Sequence, residues 1–468
     1  MRKLEIYKRL ILIFMSSICI ALQMGIYAVF WYGYYSERMY LKFYFKGHLL
    51  MLFVYVVLLF FFSQMYGGMR IGYLRAGEVM FSQVFATVCV NAITYLQMCL
   101  MVRGFLDIAP MFYMTLSEGA VIVLWTLGSS AIYKRIFSPR NLLLVYGDRP
   151  AEDILHKFGT RKDKYQVNKS IHISIGAEEI CREIEAAYDG VVLWDIPAEI
   201  RNKIYKFCFG MGIRVYIMPK IPDILIKGAD QLHLFDTPIL LTREYVLSFE
   251  QRMAKRIIDF VCAFILCLIT SPIMLLTAIA IKLYDRGPVL YKQIRCTRDM
   301  KEFYILKFRS MKVDAEKDGV ARLAAKHDDR ITPVGRFIRM VRIDELPQLF
   351  NILKGEMTFI GPRPERPEII EQYMKDMPEF LFRTKVKAGL AGYAQVYGKY
   401  NTTPYDKLKL DLFYIENYSI WLDIKLMLLT LKILFKPDST EGVDSSQTTA
   451  LKNESEHYDR EGMDEGRH

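Results

Sequence analysis

Only three acidic residues, Glu37, Glu78 and Asp107, lie between residues 9 and 117, and the rest of that stretch is a succession of long apolar runs. No other feature limits the fold as strongly. A bilayer core about 30 Å thick needs roughly 20 apolar residues per helix. Four segments meet or approach that length: residues 10–31, 48–64, 79–102 and 119–133. The fourth reaches it only by starting near Met111 and tolerating Glu118. The first follows Arg2, Lys3, Lys8 and Arg9, as a signal peptide would. It is too long for one, and Tyr27, Phe30, Trp31 and Tyr32 stand where small residues would mark cleavage, so it reads as an uncleaved span with an interfacial aromatic belt.

Flanking charge sets the orientation. Arg2, Lys3, Lys8, Arg9, Arg70, Arg75, Lys134, Arg135 and Arg140 lie at one set of ends, against Arg38, Lys42, Lys46 and Arg103 at the other. This asymmetry places both ends of the bundle in the cytoplasm. Asn91, Thr94 and Gln97 in the third span read as interhelical hydrogen-bonding groups rather than a polar pathway. Residues 1–140 are therefore expected to form the N-terminal four-helix transmembrane bundle of a membrane protein. A hydrophobic share of 52% excludes a disordered chain, and a mean hydropathy of +0.15 argues against an ordinary soluble enzyme. The eight cysteines form no C-x-x-C pair and several lie in apolar runs. That argues against a zinc site or a disulfide framework and for buried free thiols in a reducing compartment.

Ser138-Pro139 ends the bundle. Strand-like runs at 141–146, 171–175, 190–194 and 214–217 alternate with helix-like stretches, which predicts a Rossmann-like α/β domain over 141–245. Its first strand-to-helix turn reads Gly147-Asp148-Arg149-Pro150-Ala151. The second and third glycines of a dinucleotide fingerprint are missing and Pro150 removes an amide donor, so a structural or regulatory domain without that cofactor is expected.

Residues 260–281 contain no charge, enough for a fifth span. Two features point elsewhere. Ser271-Pro272 falls in the middle, where proline deletes a helix hydrogen bond. Basic residues flank both ends: Arg252, Lys255 and Arg256 before, Lys282 and Arg286 after. A re-entrant helix broken at Ser271 and Pro272 fits both, with Ser271 able to meet freed backbone groups and Asp259 paired with Lys255 or Arg256. A plain fifth span would put the remaining chain outside the cell.

From Gly287 onward charged motifs become dense. Lys307-Phe308-Arg309-Ser310-Met311 follows a strand-like run. His327-Asp328-Asp329-Arg330, then Arg339 to Leu349 and Gly361-Pro362-Arg363-Pro364-Glu365-Arg366 come next. Asp344 and Glu345 are adjacent carboxylates between Ile343 and Leu346. If a helix starts there, its dipole and free amides attract anionic ligands. A carboxylate can hold Mg²⁺ beside phosphate oxygens, or attack phosphorus to give an acyl phosphate. Lys307, Arg309, Arg339, Arg342 and Arg363 would neutralise phosphate charge. Taken alone, an Asp-Glu pair is a common surface feature, and the cations equally suit a solvated or headgroup-binding face.

Residues 255–430 resemble the catalytic domain of bacterial polyprenyl-phosphate sugar-1-phosphate transferases, the monotopic phosphoglycosyl transferases. The matching residues are Lys255-Arg256 with Asp259, Ser271-Pro272, Gln293 with Arg295, and the run from Lys307 to Met311. They continue through Asp344-Glu345-Leu346-Pro347-Gln348-Leu349-Phe350-Asn351, Lys354-Gly355 and Gly361-Pro362-Arg363-Pro364 to Gly389, Gly392, Gln395, Gly398, Asp411, Tyr414 and Asp423. With the preceding bundle and α/β domain, the chain resembles the large form of the family found in exopolysaccharide and capsule assembly. The resemblance implies a re-entrant helix plus a mainly α catalytic domain over 251–436. It implies that Asp344 attacks the sugar-bearing phosphorus of a UDP-sugar, that UMP leaves, and that the phosphosugar passes to undecaprenyl phosphate. Glu345 would serve proton transfer or position the lipid phosphate, and Mg²⁺ would sit on the Asp344-Glu345 side. Lys307, Arg309, Arg342, Arg363, Asp411 and Asp423 would bind substrate. Departures are Thr297 and Met300 where the family often has glycines, Ala388 for proline and Ala391 for threonine.

The lipid acceptor puts the active site at the interface, with the catalytic domain on the cytoplasmic face of the bacterial inner membrane. The segment 418–435 reads either as an interfacial amphipathic helix or as a core helix. A net charge of +11 suits anionic membrane lipids. No nucleic-acid partner is expected, and a homodimer through the middle domain is left open. Residues 437–468, rich in acids and poor in large apolar groups, read as a disordered acidic tail. The rival readings are a non-catalytic membrane scaffold and a nucleotide-sensing regulator; the intact Asp344-Glu345 pair argues against the first and the missing glycines against the second.

Overall fold

The computed structural model describes residues 5–242, 246–312, 330–398 and 402–434. The expected acidic tail and the motif His327-Asp328-Asp329 lie outside the described residues. The chain separates into two compact units, Met1–Pro219 and Lys220–His468.

The first unit begins with α1 (Lys8–Phe30), α2 (Phe45–Tyr66), α3 (Ala76–Val102) and α4 (Ala109–Ile136), all long and apolar enough to cross a membrane. Helix α1 packs on α2 and α4, and α3 packs on the same two. Phe53, Leu96 and Leu124 face outward while polar groups sit inside. The fourth helix starts well before residue 119 because Glu118 has partners. The Tyr55 hydroxyl on α2 lies 2.5 Å from Glu118 Oε1, and Asn91 Nδ2 on α3 donates to Glu118 Oε2 at 2.7 Å and to Thr115 Oγ1 at 2.8 Å. A buried polar group costs little when paired, and these bonds join three helices. Glu118→Ala is expected to lower stability by ~1–2 kcal/mol, read as an earlier thermal transition in detergent. Glu118→Gln should lose less than Glu118→Ala: its carbonyl can still accept from Asn91 Nδ2, and its NH2 can donate to the Tyr55 hydroxyl oxygen in place of the bond that hydroxyl now donates. Equal losses would mean the hydrogen bonds contribute nothing.

The same unit continues with β1 (Arg140–Tyr146), α5 (Ala151–Gly159), β2 (Tyr165–His172), α6 (Ala177–Ala187), β3 (Gly190–Trp194), α7 (Ala198–Gly210) and β4 (Arg214–Ile217). The sheet is parallel with order β2-β1-β3-β4. The expected run 171–175 meets the second strand only at Ile171 and His172: that strand starts earlier, at Tyr165, and Ile173–Ile175 form a 3-10 turn. As an edge strand with exposed polar residues, β2 carries no apolar run to mark it. The order reverses between β1 and β3, where open α/β sheets commonly bind ligands. Here the Gly147 N–H donates to Trp194 O at 3.1 Å, and a Cβ on Gly147 would lie 2.4 Å from Asp195 O. The amide a phosphate would need is engaged in the sheet, and Arg149 pairs with Asp195 above it at 3.4 Å.

The second unit opens with α8 (Ile221–Lys227), β5 (Asp230–Leu234) and β6 (Thr237–Leu241). Ile221 and Ile224 are buried with Leu408 and Leu412 in this unit's core, so the α8 segment packs here although its position in the chain suggests the α/β domain. Next come α9 (Phe249–Asp285), the antiparallel pair β7 (Leu290–Cys296) and β8 (Glu302–Phe308), α10 (Pro333–Met340) and α11 (Gln348–Lys354). Then follow β9 (Thr358–Ile360), α12 (Pro367–Asp376), β10 (Gly389–Ala391) parallel to β9, α13 (Tyr393–Tyr397), α14 (Pro404–Glu416) and α15 (Ile420–Leu434). Helix α15 buries Asp423, Leu426 and Leu429 and exposes Trp421, which makes one face of it core.

Helix α9 runs through Ser271-Pro272, so the expected break is not a gap in the helix. Pro272 lacks the N–H that Leu268 O would accept, and Ser271 Oγ donates to that carbonyl at 2.8 Å. Both ends of α9 hold the same unit. At the first end Lys255 Nζ donates to Asp423 Oδ2 at 2.5 Å and to Ile360 O at 2.9 Å. Arg256 donates to Ile352 O and Leu353 O at 2.6 and 2.7 Å, in the last turn of α11 where carbonyls lack helical partners. With both cations engaged, Asp259 does not pair with either; it accepts from Phe359 N at 3.0 Å. At the other end Ile281 packs on Phe308 and Ile338, and Asp285 pairs with Arg309. Between them Phe264, Leu268, Ile269, Leu275 and Leu276 are exposed.

Candidate active site

The site forms where β8 meets the turn after α10. Strand β8 carries Lys307 opposite Tyr291 of β7. Thr332 Oγ1 caps α10 by accepting from Gly335 N at 2.9 Å. The chain leaves α10 through Arg342, a left-handed residue at φ 56°. Such a conformation is uncommon outside glycine, and it turns Ile343 and Leu346 back against Ile281, Phe308 and Ile338. Asp344 and Glu345, between those two apolar anchors, lie in the 3-10 turn Ile343–Glu345. The condition for a dipole contribution, a helix starting at them, is not met: α11 starts only at Gln348, beyond Pro347. The local positive field therefore comes from side chains.

Three cations converge on Glu345. Lys307 Nζ lies 3.1 Å from Oε1, Arg363 Nη2 lies 3.2 Å from the same oxygen, and Arg342 Nη1 lies 3.8 Å from Oε2. Burial disfavours the ionised form of Glu345, but Lys307, Arg363 and Arg342 outweigh it and hold the carboxyl well below the usual carboxylate range. Asp344 is the opposite case. Burial and then the Glu345 charge push its carboxyl up to about 6, against Lys307, Arg339 and Arg342. Among the described residues no hydrogen bond or ion pair reaches Asp344. Two adjacent carboxylates thus have separate states, one clamped by cations and one without a hydrogen bond or ion pair among the described residues.

Arg363 comes from the loop between β9 and α12. Its base depends on glycine: a Cβ on Gly361 would lie 2.4 Å from Lys387 O, and one on Gly389 only 2.1 Å from Gly361 N. The loop is tied to β10 by Gly361 N to Ala391 O and Gly389 N to Pro362 O, both 2.9 Å.

Five of the expected site residues, Asp344, Glu345, Lys307, Arg342 and Arg363, are brought together. Three are not. Arg309 is buried against Asp285, with Nε and Nη1 unpartnered among the described residues. Asp411 is buried against Arg383, 2.9 Å away, and burial pushes its carboxyl up to about 6. Asp423 is buried between Lys255 and Tyr414. Asp285 and Arg383 carry no motif that would have singled them out, and Glu365 stood in the Gly361–Arg366 run without being named a site residue. For a metal, the described residues offer no trio of His, Cys, Asp or Glu; Asp344 and Glu345 are the two carboxylates adjacent at this place.

A sequence model of the bacterial sugar transferase family matches residues 250–437. The chain is 42% identical over 254 residues to the UDP-N-acetylgalactosamine-undecaprenyl-phosphate N-acetylgalactosaminephosphotransferase of Aeromonas hydrophila, covering 53% of this chain and 59% of that protein. It is 40% identical to the UDP-glucose:undecaprenyl-phosphate glucose-1-phosphate transferase of Escherichia coli, covering 44% and 43%. A protein of the same name from Caulobacter vibrioides is 38% identical, with 40% of this chain and 72% of the relative covered. The alignments span about half the length of the first of these curated relatives.

Proposed function

Because this chain belongs to the bacterial sugar transferase family, we propose that it transfers a sugar-1-phosphate from a UDP-sugar to undecaprenyl phosphate and releases UMP, through a covalent intermediate on Asp344. The observation that carries this reading is the pair itself: an unpaired, half-buried carboxylate beside one locked by three cations. In the first step an Asp344 oxygen bonds to the sugar-bearing phosphorus, the phosphoanhydride bond breaks, and UMP departs with the electron pair. In the second, a phosphate oxygen of the lipid attacks that phosphorus and the carboxylate of Asp344 is restored. Glu345, held ionised, is a poor proton acceptor; its work is to gather Lys307, Arg342 and Arg363 where phosphate charge must be met.

Mg²⁺ fits this donor set, since it commonly takes one or two carboxylates and fills the remaining positions with phosphate oxygens and water. Asp344, which lacks a cation partner, would hold it with Glu345, and the ion would neutralise charge on the phosphates. The four N-terminal helices are proposed to be a transmembrane bundle and the parallel sheet a Rossmann-like domain. The catalytic unit is proposed to lie on the cytoplasmic face of the inner membrane, serving exopolysaccharide or capsule synthesis. Support for an interfacial site comes from exposed Phe337, Met340, Val341 and Phe350 on either side of the carboxylates. Attachment of both ends of α9 to one unit supports re-entry over crossing. A cysteine at position 271 should resist labelling from the outer face of intact cells; efficient labelling there would remove the re-entrant reading.

The defining experiment supplies purified protein with UDP-sugars, undecaprenyl phosphate and Mg²⁺ and follows UMP. Release that depends on the lipid for multiple turnovers is expected. No release with any UDP-sugar would overturn the assignment.

A further inference from the structure

Glu345 touches the tip of Arg363, yet nothing in that contact explains why the Arg363 backbone is where it is. The loop between β9 and α12 is short of regular structure, and a long arginine side chain has much rotamer freedom to lose. The bonds to β10 fix Gly361 and Pro362; the Arg363 and Pro364 carbonyls that follow are held by other groups. Two guanidinium groups, buried Arg383 and half-buried Arg295, reach the loop. Arg383, from the 3-10 segment Pro378–Lys385, donates through Nη2 to the Arg363 carbonyl at 3.0 Å. Arg295, on β7, donates through Nη1 to the next carbonyl, Pro364 O, at 3.1 Å.

Both guanidiniums are balanced. Arg383 lies 2.9 Å from Asp411 and 3.6 Å from Glu365, and Arg295 lies 3.5 Å from Glu365. The Glu365 carbonyl in turn accepts from Cys296 N at 3.0 Å. Two cations and two anions thus close a neutral cage whose remaining donors grip consecutive carbonyls of the loop. Arg383 and Asp411 have only 5% and 2% of their side chains exposed, so neither is placed to meet a diffusing substrate. Simple stability would be served as well by apolar packing, since a buried ion pair is often no better than one. What apolar groups cannot do is hold two particular carbonyls in one orientation.

We propose that Arg383 is a positioning residue acting through Arg363: it clamps the Arg363 carbonyl, with Asp411 as its counter-ion, so that the Arg363 side chain stands ready at Glu345 and the substrate phosphates. This rests on the transferase reading and gives Asp411 a role one step removed from substrate.

A double-mutant cycle in the full-length protein tests it. Arg383→Lys keeps the charge beside Asp411 and Glu365 but cannot place the same second donor on the Arg363 carbonyl. It is expected to lower kcat/KM by about tenfold, within the range of coupling between contacting residues. In an Arg363→Ala background the same change should cost less than about twofold, because the residue it positions is gone. Equal losses in both backgrounds would overturn the proposal in favour of a general structural role. If Arg383→Lys fails to fold, Asp411→Asn, close in shape, enters the same cycle: a loss that shrinks in the Arg363→Ala background supports the clamp, and an equal loss overturns it. Amide exchange over residues 361–366 gives a readout without turnover: faster exchange there in the variant is expected, and unchanged exchange overturns the clamp. An unsubstituted protein that releases no UMP would instead overturn the transferase reading.

Discussion

Asp344→Asn should lower lipid-dependent UMP release by ~10⁴-fold or more, the scale seen when a covalent nucleophile is removed. The change is close to isosteric. Among the described residues Asp344 makes no hydrogen bond that the amide would break, so the fold should hold and the loss should appear in turnover. Mass analysis of protein quenched with a UDP-sugar but no lipid should find the phosphosugar on Asp344 in the parent and nowhere in the variant. Glu345→Gln should behave differently. It leaves the nucleophile but releases Lys307, Arg342 and Arg363 from their shared anion. Losing that alignment is expected to cost ~10²–10³-fold, as removing a charge-stabilising group commonly does. Asp344→Asn retaining turnover within tenfold of the parent would rule out the covalent route.

Lys255→Met carries the second large effect, on stability. Lys255 and Asp423 face each other with 11% and 8% of their side chains exposed, and the Tyr414 hydroxyl lies 2.8 Å from the same carboxylate. Removing one partner of a buried ion pair commonly costs ~3–5 kcal/mol because the other charge is left behind. Burial already raises the Asp423 carboxyl against the pull of Lys255, so without the lysine it would take up a proton, which favours the lower end of that range. For a unit of this size the loss amounts to roughly 10 °C in the thermal midpoint. Asp423→Asn added to Lys255→Met should recover part of it, since no unpaired charge then remains. A midpoint within 2 °C of the parent, measured in detergent with the same lipid content, would show that this pair does not anchor α9.

Local pattern made much of the molecule legible. The apolar runs located α1 to α4 because a helix in lipid has few other compositions open to it. Strands β1 and β3 were readable since strands buried in a parallel sheet are continuously apolar. The edge strand β4 still carries the short apolar run Val215–Ile217, whereas the polar edge strand β2 does not. Asp344, Glu345, Lys307, Arg342 and Arg363 stood in recognisable motifs, and the structure brings all five to one place.

Pairing was another matter. Nothing along the chain distinguishes an aspartate left without a cation partner from one that meets a buried arginine or lysine, so Asp411 and Asp423 could not be told from Asp344 by motif. Their partners, Arg383 and Lys255, lie 28 and 168 positions away in the sequence. The same holds for Glu118, whose place inside α4 depends on Tyr55 and Asn91 from two other helices. Helix, strand and membrane tendencies are written within a few turns of chain because they come from backbone geometry and transfer to lipid or water. The state of a charge depends on what surrounds it in three dimensions, and only the folded arrangement decided which carboxylate is clamped by three cations, which are buried against a single cation and which is left without a partner among the described residues.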